Sequence, residues 1–174
     1  MKKHGFTQSV QLHEDPEQQD KLTTWIEFLN YEYRRYDSCI DTINRLQPQF
    51  DKAWKTLVDS KVLRPLETPE FLWDLMSATQ RQDERHKAEE IVDNAILAVK
   101  AAEKTFQEAQ CARLSGQSFF QIEEKLCAAR SQLAATKTSL EQIKSRRYLI
   151  SDFKEQTARH RYVKQGADRH KILL

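Results

Sequence analysis

Residues 22–57 read LTTWIEFLNYEYRRYDSCIDTINRLQPQFDKAWKTL. Within them Leu22, Ile26, Leu29, Tyr33, Tyr36, Ile40, Ile43, Phe50, Trp54 and Leu57 recur at alternating steps of four and three. Gln47 is the one polar residue on that stripe. A period of about 3.5 residues keeps a single helix face turned to a partner over many turns, which is the seam of a left-handed coiled coil. Pro48 lies inside the stripe. An interior proline removes a hydrogen bond and crowds the preceding turn, at about 3 kcal/mol. The phase is the same on both sides of it, so the pattern predicts a kinked helix rather than two unrelated ones.

The other elements follow outward from this helix. Asp15-Pro16-Glu17 reads as a start signal, a capping carboxylate followed by proline and an acid in the first turn. The first helix is therefore expected over about 16–60, after an aperiodic flexible arm at 1–15. Thr68-Pro69-Glu70 repeats the signal and opens a second helix, expected over about 69–113. Its stripe of Val92, Ala95, Val99, Ala102, Phe106 and Ala109 follows a polar section at 79–90. A turn at Leu114-Ser115-Gly116-Gln117 precedes Ser118 and Gln121, spaced as a capping box. A third helix, about 118–165, carries Ile122, Leu126, Ala129, Leu133, Leu140, Ile143 and Ile150, and Gly166 marks its expected stop.

So short a turn makes the second and third helices antiparallel. Folding about it sets Phe106 opposite Leu126, Val99 opposite Leu133 and Val92 opposite Leu140. The same register brings Arg85 towards Arg147, a like-charge pair that excludes a dry seam there and leaves the first helix as the natural cover. The expected fold is all-α: one domain, 16–174, an elongated antiparallel bundle of three long helices with coiled-coil character.

Composition agrees. Only 3 Gly and 4 Pro occur in 174 residues, too few turn formers for a sheet or a loop-rich enzyme fold. Mean hydropathy is −0.76 and no stretch approaches the roughly 20 apolar residues of a membrane span, so no membrane association is expected. Cys39, Cys111 and Cys127 are odd in number and far apart, as in a reducing compartment. With no secretory leader in view, the expected location is intracellular, cytoplasmic or nuclear.

Sites of chemistry are sparse. Asp83 and His86 stand three apart, the spacing of a di-iron carboxylate bundle, but no second such pair exists. The cysteines lie on helices or at a helix C-terminus, settings that do not activate a thiol. Three glycines cannot build a phosphate-binding loop. The chain is thus expected not to be an enzyme and to hold no cofactor or metal. Two surfaces stand out instead. Trp25, Phe28 and Tyr31 fall off the seam, with Arg34 and Arg35 beside them as a polar rim, and suggest a partner surface. Residues 144–174 carry nine Lys or Arg against three acids, so Arg146, Arg147, Arg159, Arg161 and Lys164 are candidates for phosphate contacts.

The blocks Glu14-Asp15-Pro16-Glu17, Asp20 to Glu27, Tyr31-Glu32-Tyr33, Asp51-Lys52-Ala53-Trp54 and Leu63-Arg64-Pro65, with Leu140 to Phe153 and Asp168-Arg169-His170, carry a resemblance. Together they resemble a family of uncharacterised helical proteins from filamentous fungi. The resemblance implies a fungal source and coiled-coil character, and no activity. It departs at Arg34-Arg35, where that family tends to carry tryptophan, and at His170-Lys171-Ile172-Leu173, past which it tends to run on. The expectation taken forward is a structural or interaction protein whose helices serve self-association or a protein partner. Nucleic-acid binding through the basic third helix is the alternative.

Overall fold

The computed structural model describes residues 19–112 and 116–173. They form four helices and, among the described residues, no strand: α1 (Lys21–Asp59), α2 (Pro69–Trp73), α3 (Leu75–Cys111) and α4 (Gln117–Leu173). The chain is all-α, with three long helices, and their boundaries differ from the expected ones in ways that local chemistry explains.

α1 begins at Lys21 because Asp20 caps it. The Thr23 backbone N–H donates to Asp20 Oδ1 at 2.9 Å, and the Thr23 hydroxyl donates to Oδ2 at 2.8 Å. These bonds hold the Asp20 carboxyl below the ordinary aspartate value. The earlier start signal at Asp15-Pro16-Glu17 lies outside the described residues. α1 runs through Pro48 without interruption. Pro48 is exposed, so the carbonyl it leaves without a partner lies on the water side.

The second expected helix is two. Thr68 caps α2, its hydroxyl accepting from the Phe71 N–H at 3.2 Å. Asp74 then takes an extended conformation (φ −62°, ψ 142°), which ends α2 and caps α3 through its side chain, bonded to the Ser77 N–H at 2.9 Å. A carboxylate three residues before a serine outbids continuation of the helix, because it satisfies donors at the start of a new one. Ser77 and Arg81 close the break: Ser77 Oγ donates to the Phe71 and Asp74 carbonyls, and Arg81 Nη2 donates to the Leu72 carbonyl at 2.9 Å.

The third helix starts at Gln117, after Gly116 in the left-handed region (φ 78°), so Ser118 lies inside α4 instead of capping it. Leu114 and Ser115 of the expected turn lie outside the described residues. Nor does α4 stop near 165. It passes through Gly166 to Leu173, because the face it turns to α1 continues through Phe153, Thr157, His160, Ala167 and His170. Three of those are polar, which hid the continuation.

The described residues make two compact units, one of Ser60–Asp152 and one of α1 with α4 from Phe153 onward. In the first, Ala88, Val92 and Leu140 form a buried cluster flanked by Ile96, Leu133 and Ile143. The expected opposition of Val92 and Leu140 is present. Glu103 and Arg130 pair across the same two helices at 2.9 Å. In the second unit, Phe153 packs its ring against Phe50 (5.9 Å between centroids) and Trp54 (5.5 Å), above buried Ala53 and Leu57.

Candidate interaction surface

The α1–α4 unit is fastened by polar pairs as well as apolar ones. His160 stacks on Phe50 at 4.6 Å, and its Nε2 lies 3.1 Å from Gln47 Oε1. Facing a carbonyl oxygen, that nitrogen carries the proton. Burial pushes the His160 imidazole below its ordinary value, Lys164 pushes it further the same way, and Asp51 opposes. Nearer the start of α1, His170 Nδ1 meets the carboxylate of buried Glu32 at 2.5 Å. Between these pairs Cys39 Sγ lies over Gly166 of α4. The one polar residue on the sequence stripe, Gln47, is thus the histidine's partner.

These contacts define which face of α1 meets α4, and Trp25 is on it. Trp25 is one heptad before Glu32 and two before Cys39. Yet Trp25 is 54% exposed. Trp25 and Phe28 stack at 5.5 Å between centroids, Tyr31 and Leu22 are also exposed, and Arg35 lies 5.8 Å above the Tyr31 ring. Trp25 with Phe28 and Tyr31 with Arg35 thus form two exposed contacting pairs along the first turns of α1, near exposed Leu22. Ile172 and Leu173 of α4 are exposed as well. Arg34 faces elsewhere: it lines a shallow depression with Asp37, Ser38, Asp41, Thr42 and Arg45 on the outer side of α1. Of the five residues expected to form a partner surface, Trp25 pairs with Phe28 and Tyr31 with Arg35, while Arg34 lines a separate depression.

The basic residues are divided in the same manner. Arg146 is almost out of solvent, its Nε donating to the Val62 carbonyl at 2.9 Å and its Nη2 to Glu67. Arg64 holds Glu84 through two bonds of 2.6 and 2.8 Å, and this grip keeps the Glu84 carboxyl below the usual range. Arg81 lies buried beside them, and burial, with Arg146 next, lowers its guanidinium's proton affinity. So Arg146 belongs to an internal network and is withdrawn from phosphate. Residues 62–67 reach that network, the place where the first helix was expected as cover. The expected Arg85–Arg147 clash is eased because Arg85 turns to Glu89 at 2.8 Å. Arg147, Arg159 and Lys164 are exposed and Arg161 is half-buried.

His86 contacts Gln82 at 2.7 Å and approaches Glu89 at 3.8 Å. The described residues hold no cluster of three or more His, Cys, Asp or Glu side chains able to share a metal ion. None of their helices is long and apolar enough to cross a membrane. Sequence reading missed Glu32, His160 and His170. The available signal was an acid between Tyr31 and Tyr33, and two histidines ten residues apart, one heptad plus a step of three.

Comparison with protein-family models, with curated proteins and with solved structures matches none of them.

Proposed function

We propose that this chain is a non-enzymatic structural or interaction protein, intracellular, whose coiled-coil-type helices serve association with other protein surfaces. One observation carries the reading: the stripe of α1 that meets α4 continues through Trp25 into water, flanked by Leu22, Phe28 and Tyr31. Monomeric proteins rarely leave such aromatic groups contiguous and bare, and aromatic residues with an arginine at the edge are typical of the centres of protein interfaces. Three free cysteines support a reducing location. The test replaces Trp25, Phe28 and Tyr31 together by serine. The variant should keep the helical circular dichroism of the parent and lose the higher-mass species that the parent forms in its own cell extract. An unchanged elution profile contradicts the reading.

A further inference from the structure

We propose that α1 and α4 form a pH-gated contact, in which protonation of His160 parts the layer around Phe50 and Trp54 while the layer at Glu32 and His170 stays closed. The two histidines of α4 meet α1 in different chemistry. His160 is buried, stacked on Phe50 at 4.6 Å, and its Nε2–H donates to the Gln47 amide oxygen, a neutral acceptor. His170 meets a charged acceptor, the carboxylate of buried Glu32, at 2.5 Å. An added proton therefore acts differently in the two places. On His170 it leaves Nδ1–H donating to Glu32 and turns a hydrogen bond into an ion pair, so the contact persists in either charge state. On His160 it places a charge out of water, against a phenyl ring and an uncharged amide. Burial weighs most against that charge and Lys164 of α4 repels it, while Asp51 of α1 attracts it too weakly to compensate. A buried cation so poorly matched is relieved when water enters.

Packing confines the opening to one layer. Beside His160 and Phe50, the Phe153 ring of α4 touches both Phe50 and Trp54 of α1. Thr157, fully buried nearby, donates its hydroxyl proton to the Phe153 carbonyl at 2.7 Å, so that proton ties α4 to itself and not to α1. Each helix keeps its own backbone hydrogen bonds when the rings part, so what opens is side-chain packing rather than helix. Acid then uncovers Phe50, Trp54 and Phe153, three rings that neutral pH holds between α1 and α4.

Hydroxyl-radical footprinting of the full chain from about pH 8 to about pH 5 spans the range in which histidine changes charge. Normalised to exposed Tyr162, oxidation of Phe50, Trp54 and Phe153 should rise roughly threefold towards acid, while that of half-buried Tyr33, next to Glu32, stays level. His160→Gln keeps a donor for Gln47 and takes no proton, so it should abolish the rise. In the parent, without any substitution, the nuclear magnetic resonances of the His160 ring and the Trp54 indole should move with one midpoint. No rise at Trp54 overturns the proposal, as does an equal rise at Tyr33, which marks general loosening. A rise that survives in a folded His160→Gln also overturns it, and so do separate midpoints for His160 and Trp54 in the parent.

Discussion

Arg146 shows how a single residue can mislead when read by type. In sequence it belongs to a basic run, and in the fold it ties α4 to the Val62 carbonyl and to Glu67, whose side chain is still more buried. Breaking such a pair from one side strands a buried charge. Arg146→Met should therefore lower stability by about 3 kcal/mol in urea denaturation. Adding Glu67→Gln should recover part of the loss, since the stranded group is then neutral. His160 makes a different demand. Burial holds its imidazole below the ordinary value, so the unfolded chain takes up a proton at higher pH than the folded one. The stability it contributes is complete above about pH 6.5 and is lost as pH falls through the folded value. Between those two limits the parent should lose more stability than His160→Gln does, a comparison that cancels other titrating groups. Parallel curves contradict this.

At the scale of elements, apolar period located the long helices and missed where polar side chains decide an end. The stripe from Ile26 to Leu57, half-buried or buried, and the pair Val92 and Leu140 were legible because burial of apolar groups follows helical periodicity. The break at Asp74 was not, since its cap works only once Ser77 and Arg81 have taken the α2 carbonyls, a tertiary arrangement. Nor was the length of α4. Gly166 resembles a stop, but the helix face there is held by Ala167 and His170, and Gly166 has no left-handed φ. A methyl group at Gly166 would meet Cys39 Sγ at 3.6 Å, ordinary contact. Gly166→Ala should accordingly stabilise the chain by about 0.5–1 kcal/mol, the usual gain inside a helix. Destabilisation on thermal melting would mean that α4 does not pass straight through this point. The partner surface was half legible: Trp25, Phe28 and Tyr31 stood out as off the seam. That Trp25 shares the α4-facing stripe could be seen only with Glu32 and Cys39 in place.

For the molecule as a whole, charge and apolarity are distributed by neighbourhood more than by segment. The excess of cations in residues 144–174 divides between an internal network around Arg146 and exposed groups such as Arg147 and Arg159. Near the start of α1, Leu22, Trp25, Phe28 and Tyr31 are all exposed. Tyr148 and Tyr162 are more exposed still, at 71% and 78%, and belong to no such patch, so they serve as controls within the same chain. Hydroxyl-radical footprinting of the protein, dilute and purified against concentrated in its own cell extract, reads all of these at once. Selective protection of Trp25 and Tyr31, with Tyr148 and Tyr162 oxidised at unchanged rates, is the predicted result. Equal oxidation of Trp25 in both conditions would contradict a binding role for this face of α1.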